Sequence, residues 1–140
     1  MIDLLTGIQS TAAALNAEHT RLDVISENIA NANTTHGLDG KPYQRQQVVF
    51  ENVLNSQTGD LANSGEVQVA RVEKDQREAR LIYNPGHPDA NKDGMVAMPN
   101  INIHEEMADL ITSSRAFEAN LAVVKNARQM ALQTLSIGKR

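Results

Sequence analysis

Residues 21–37 read RLDVISENIANANTTHG, and this stretch decides the fold. Its first half is helical in pattern, with Leu22 and Ile29 seven residues apart, the spacing that keeps one helix face toward a partner helix. Its second half ends the helix. The short polar side chains from Asn31 to Thr35 compete for backbone hydrogen bonds, and Gly37 tolerates left-handed dihedrals. Upstream, Leu5, Ile8, Ala12 and Leu15 belong to the same stripe at steps of three and four, which His19 and Ser26 interrupt. Residues 2–32 contain no Pro and only one Gly, Gly7, so one long amphipathic helix is expected.

The far end of the chain repeats the pattern. Ile103, Leu110, Phe117, Val124 and Ala131 form one seven-residue series; Met107, Ser114, Leu121, Arg128 and Leu135 form a second. Asn102 is a suitable cap, with Glu105, Glu106 and Asp109 in the opening turns and Lys125, Arg128, Lys139 and Arg140 toward the end. That polarity complements the helix macrodipole. A second long helix over residues 101–137 follows.

Between the helices the composition changes. All four prolines and six of the eight glycines lie in residues 34–100. Short apolar stretches, Tyr43 to Phe50, Val67 to Val72 and Leu81 to Tyr83, alternate there with turn signals at residues 37–40, 63–65 and 84–86. Strands and loops are expected, with residues 73–80, EKDQREAR, as an exposed loop or a solvated helical turn. The expected class is mainly α with a small β insert: residues 1–33 as one helix, 34–100 as the insert, and 101–140 as a second helix paired with the first in coiled-coil fashion. At 1.5 Å per residue the helices reach roughly 45 and 50 Å, longer than the roughly 37 Å diameter of a compact chain of this size. An elongated molecule with uncovered apolar stripe is implied, and such stripe invites other subunits.

Composition limits the chemistry. The 140 residues carry 13 Lys plus Arg against 17 Asp plus Glu, a net charge of −4, without the clustered basic surface that nucleic acid requires. Zero cysteines remove disulfides, thiol nucleophiles and Cys-based zinc sites. No apolar run approaches the roughly 20 residues that span a bilayer, and the opening MIDLLTGIQST lacks the regions of a secretory signal. Leu, Ile, Val and Phe total 33 residues, so the core is thin, whereas Asn and Gln total 22 and suit hydrogen-bonded contact surfaces.

Three local motifs carry residues of a chemical site, and each has a simpler reading. Asp89-Ala90-Asn91-Lys92-Asp93-Gly94 fits the opening of a calcium loop, but Asn100 stands where a bidentate Glu is needed and Pro85 and Pro88 forbid an entering helix. A turn between two short strands is the better reading. His104-Glu105-Glu106-Met107-Ala108 begins like a zinc-hydrolase motif and has Ala108 in place of the second ligand. Glu105, Glu106 and Asp109 invite comparison with a carboxylate pair of a glycosidase, but the helix dipole accounts for them. No catalytic residue, cofactor, metal or small-molecule substrate is expected.

Residues 21–35 resemble the signature of bacterial flagellar rod and hook proteins, in which the first helix ends in a turn like that of Asn28, Ala30, Asn31, Asn33 and Thr34. Residues 42–51 (PYQRQQVVFE), 83–88 (YNPGHP), 94–102 (GMVAMPNIN) and the closing helix resemble more narrowly the type C proximal rod members. The resemblance covers nearly the whole chain. It implies a non-enzymatic subunit of the basal body, passed unfolded through the flagellar type III apparatus without signal cleavage and assembled into the helical rod that crosses the periplasm. It implies as partners copies of itself, the other proximal and distal rod proteins, and the export gate or membrane-ring adaptor. Subunit packing is then expected through Leu5, Ile8, Leu15, Leu22 and Ile29 of the first helix and Met107, Leu110, Phe117, Leu121, Val124 and Leu135 of the second. The competing reading is an export adaptor or chaperone of the same system.

Overall fold

The computed structural model describes residues 2–37, 39–53 and 66–138, with residues 2–6, 52, 53 and 66 as backbone only. Helix α1 spans Ile2–Ala30 and helix α2 spans Ile103–Ile137, about 44 and 53 Å long at 1.5 Å per residue. Between them lie β1 (Gln46–Val53), β2 (Glu66–Lys74), β3 (Arg80–Tyr83) and β4 (Met95–Met98). The expected helix pair with a strand insert is what the chain forms. The turn expected at residues 63–65 and Leu38 of the turn at 37–40 lie outside the described residues.

Each helix end has a local cause. The Asn31 N–H donates to Glu27 O at 3.0 Å and its side-chain amide donates to the same carbonyl at 2.9 Å, so Asn31 caps α1 twice over. Thr34 then closes the turn, donating through Oγ1 to Asn31 Oδ1 at 3.2 Å. The left-handed Gly37 expected from the sequence is not how the helix stops: among the described residues positive φ is found at Gly40 and Gly94. At the other end Asn102 Oδ1 accepts the His104 N–H at 3.2 Å, the expected N-cap, and the Gly138 N–H donates to Thr134 O.

The strands make two separate antiparallel hairpins. β1 pairs β2 from Gln46 opposite Lys74 to Val53 opposite Glu66, with one extra residue, Ala70, bulged opposite the Val49/Phe50 step. β3 pairs β4 from Arg80 opposite Met98 to Tyr83 opposite Met95. The Asp89 to Gly94 stretch is the reversing loop of this second hairpin, and its side chains close the turn. Asn91 Oδ1 accepts the N–H groups of Asp93 and Met95, both at 2.9 Å. Asp89 accepts from Thr35 Oγ1 at 2.7 Å, which ties the loop to the residues after α1. The EKDQREAR run divides: Glu73 and Lys74 finish β2, residues 75–79 form an exposed connection and Arg80 opens β3.

Gly94 sits at φ +74°, and a Cβ there would lie 2.9 Å from Tyr83 Cε2 and 3.2 Å from Pro85 Cβ. Gly40 sits at φ +70° with its nearest neighbour 3.8 Å from the same position. Gly94→Ala is therefore expected to cost about 1–2 kcal/mol of monomer stability, more than Gly40→Ala, because backbone strain is common to both and the clash is not. Urea unfolding of the two variants measures the difference.

Packing explains the layout. The helices run antiparallel, since Asn28 near the end of α1 meets Glu106 near the start of α2 while Arg21, two turns earlier on α1, lies beside Asp109. The β1–β2 hairpin folds back along α1. Gln46 hydrogen-bonds Asn28, and Gln68 and Val69 share a cleft with Ala13, Asn16 and Ala17. Among the described residues the buried hydrophobic side chains are Ala17, Val24, Ile25, Ala32, Val96 and Ile101, with Pro99 fully enclosed, a core that is small for this length.

Candidate functional site

Two features of the surface and interior set this molecule apart from an ordinary small domain. The first is a buried polar node where α1, the start of β1 and the first turn of α2 meet. Asn28 is 1% exposed, and its amide donates to Gln46 O at 2.8 Å and to Glu106 Oε2 at 3.1 Å. Its carbonyl oxygen accepts from the Gln46 N–H at 2.9 Å and from the Tyr43 hydroxyl at 3.2 Å. Asn28 thus pairs with the β1 backbone as another strand would, in two directions at once. Glu106, also 1% exposed, accepts from Arg45 Nε at 2.6 Å through its other oxygen.

The electrostatics of the node follow from burial. Burial, then the Glu27 and Glu106 carboxylates, push the Tyr43 phenol above its ordinary value, so the hydroxyl remains a donor to Asn28. Each Glu106 oxygen is held by a donor, one by the Asn28 amide and the other by the Arg45 guanidinium. Beside the node a cavity of about 120 Å³ is lined by residues including Tyr43, Arg45, Asp75 and Arg77. There the Arg77 guanidinium and backbone N–H hold the Asp75 carboxyl below its ordinary range, at 2.7 and 3.0 Å. In its wall Asp75 and Arg77 are paired with each other, and Arg45 is held by Glu106. This is fastening, not reaction chemistry.

The second feature is the outer surface of α2. Ile103, Met107, Ile111, Leu121, Val123, Met130, Leu132, Leu135 and Ile137 are all exposed, by 40% to 77%. At about 100° per residue they fall in two groups, Val123, Met130 and Ile137 opposite the rest; a soluble monomer seldom presents so many large apolar side chains along one element, and such exposure marks contact surfaces. Among the described residues no helix is long and apolar enough to cross a membrane.

The residues singled out for subunit packing divide between these environments. Leu110, Phe117 and Val124 are half-buried on the side of α2 that carries the fully buried Glu106 and Ser113, whereas Met107, Leu121 and Leu135 are more than half exposed. Ile8, Leu15, Leu22 and Ile29 are half-buried, and the most deeply buried positions of α1 are instead Ala17, Val24, Ile25 and Asn28. Leu5 lies in the first turns of α1, and its side chain is outside the described ones. Of the turn residues, Asn28 is buried, Asn31 and Thr34 are half-buried and close the helix, and Ala30 and Asn33 are exposed. Sequence reasoning missed Glu106, read as a helix-dipole residue, and Arg45. An acid in a first helical turn looks the same in sequence whether it faces water or an arginine.

Comparison with known proteins agrees with this geometry. The family model described as Flagella basal body rod protein matches residues 8–37, the stretch that holds α1 from Ile8 and its closing turn. That described as Flagellar basal body rod FlgEFG protein C-terminal matches residues 92–137, which hold β4 and α2. The Flagellar basal-body rod protein FlgC of Borreliella burgdorferi is 39% identical over 96% of this chain and 97% of its own length. Those of Bacillus subtilis and Salmonella typhimurium are each 38% identical, over 92% and 97% of this chain and 94% and 98% of their own lengths. On that identity, across both helices and the insert alike, the chain belongs to the FlgC family of flagellar basal-body rod proteins.

Proposed function

We propose that this chain is a structural, non-enzymatic subunit of the proximal flagellar rod and that it assembles through the outward faces of its terminal helices. The observation that carries the reading is the apolar outer surface of α2 on a chain whose relatives are named rod proteins. Long helices paired in antiparallel fashion resist bending, and contacts repeated by a helical operator extend that stiffness into a tube able to transmit torque. Apolar residues left exposed in the monomer complete their burial against neighbouring subunits, which offsets the small core of the single chain.

The half-buried stripe Ile8, Leu15, Leu22 and Ile29, with the outward Met107, Leu121 and Leu135, supplies the intersubunit contacts in this reading. The partners are copies of the chain, the other proximal and distal rod proteins, and the membrane-ring adaptor or export gate at the base. The rod spans the periplasm, and the chain reaches it through the flagellar export apparatus without a cleaved signal. An export adaptor is disfavoured, because the relatives are named for the rod and not for a chaperone.

Purification of basal bodies from cells carrying an epitope-tagged chain tests the proposal. The chain is expected in the rod of the isolated particle, located by electron microscopy of its density. Recovery solely in the cytoplasmic fraction as a small closed oligomer would support the adaptor instead.

A further inference from the structure

Each hairpin of the insert has a free strand edge. The Asp75 N–H donates to Arg45 O at 2.7 Å, which turns the Arg45 carbonyl toward β2. Such turns alternate in an antiparallel ladder, so Gln46, Val48 and Phe50 point their N–H and C=O groups away from β2. The Asn28 side chain fills the Gln46 position of that edge in both directions. Among the described residues no backbone hydrogen bond outside the ladder reaches Val48 or Phe50. Beside these two residues runs an open cleft to which Val24 and Ile25 of α1 contribute. An uncovered edge next to an apolar floor is a template for an added strand.

β3 has the matching form. The Asn84 N–H donates to Gly94 O at 2.8 Å, so by the same alternation Leu81 and Tyr83 turn their main-chain groups away from β4. Their side chains are 61% and 69% exposed. Laid antiparallel on β1 with Leu81 opposite Phe50, β3 of a second copy sets Tyr83 against Val48 and Arg80 against Glu51. Apolar meets apolar on the side of α1, and base meets acid on the other side. Among the described residues neither Glu51 nor Arg80 enters an ion pair within the chain. The two copies then lie on opposite sides of the joined sheet. In the first, α1 lies on the side of Val48 and Phe50; in the second, Ile82 and the buried Val96 lie on the side away from Leu81 and Tyr83.

We propose, within the rod reading on which this rests, that β3 of one copy adds to the free edge of β1 in a second copy. The contact makes a four-stranded sheet in the order β2, β1, β3, β4 from two hairpins that are separate in the single chain. A lone two-stranded hairpin is marginal in water, and joining two of them offsets that weakness. Pairing β1 with β1 of a second copy is disfavoured, because β1 holds no base to meet Glu51 and Leu81 and Tyr83 stay uncovered.

The chain has no cysteine, so introduced thiols report the contact without background. In this register Glu51 and Arg80 form a non-hydrogen-bonded pair, whose Cα atoms stand about 4.5 Å apart, within disulfide reach. Glu51→Cys and Arg80→Cys are placed in separate, differently tagged full-length chains and co-expressed in a motile host lacking its own copy. A disulfide joining the two tags then reports a contact between copies. Mild oxidation of isolated basal bodies is expected to give that linked pair on a non-reducing gel. Glu51→Cys beside Asn84→Cys, four residues out of register and roughly 14 Å apart, is expected to link at least about tenfold less. Gln47→Cys beside Asn84→Cys is a second in-register pair, used if Glu51→Cys impairs incorporation. Charge reversal gives a separate readout: Glu51→Arg or Arg80→Glu alone is expected to lower incorporation about fivefold, and both in one chain to restore it.

Absence of a linked pair from both in-register combinations, in basal bodies that contain the chains, overturns the proposal, as does equal linkage out of register. Loss of incorporation by Glu51→Arg without rescue by Arg80→Glu, together with absent linkage, assigns the edge to a different protein. The tagged wild-type chain separates these results from failure of the rod reading, because its absence from basal bodies rejects that reading whatever the variants do.

Discussion

A Leu121→Asp chain is expected to be exported and to fold as a monomer, yet to be absent from purified basal bodies and to leave cells unable to swim. The side chain is 51% exposed, so a carboxylate there meets water in the free chain and changes monomer stability by about 0.5 kcal/mol or less. In an assembled rod the same carboxylate is taken out of water among apolar side chains without a partner, at a cost of several kcal/mol per contact. Repetition multiplies the loss. Swimming in soft agar, together with an immunoblot of export and of isolated basal bodies, measures each stage. Normal swimming would remove α2's outer strip from the assembly surface. Leu15→Asp is a weaker probe, because Leu15 is half-buried in its own chain and a charge there also strains the monomer.

The second large effect concerns the buried node. Glu106→Ala is expected to destabilise the monomer by about 3 kcal/mol, the low end of the range for breaking a buried pair, because Arg45 retains 20% exposure and recovers some hydration. Asn28 also loses an acceptor for one amide hydrogen. Removing both charges should hurt less than removing one. Arg45→Met with Glu106→Leu leaves no unpaired ion, so the double variant is expected to be more stable than Glu106→Ala. Urea unfolding of the three chains in parallel decides it. Equal stability of Glu106→Ala and the parent would mean that the node is dispensable to the fold.

The node also marks where reading the chain residue by residue loses information. Asn28 belongs to a motif that resemblance singles out, but its bonds reach 18 residues to Gln46 and 78 to Glu106. Glu106 follows an N-cap and sits in a first turn, which is sufficient reason for an acid on local grounds alone. Only the fold brings Arg45, 61 residues away, to 2.6 Å. The β3–β4 loop was easier to read, because Asn91 and Gly94 satisfy the turn from within and need no distant partner.

The sequence by itself determined the two helices, the turn that ends the first, the cap that opens the second, and the family. These rest on periodicity, capping chemistry and short motifs, all of which act over a few residues. The tertiary structure decided which side of each helix is inside. A seven-residue series drifts about 20° per heptad on a straight helix, so Ile8, Leu15, Leu22 and Ile29 walk about 60° around α1. They settle at half-buried positions, while Ala17, Val24, Ile25 and Asn28, beside the folded-back hairpin and α2, take the centre. Burial is a property of what lies opposite, and what lies opposite α1 comes from residues 18 to 78 positions away along the chain.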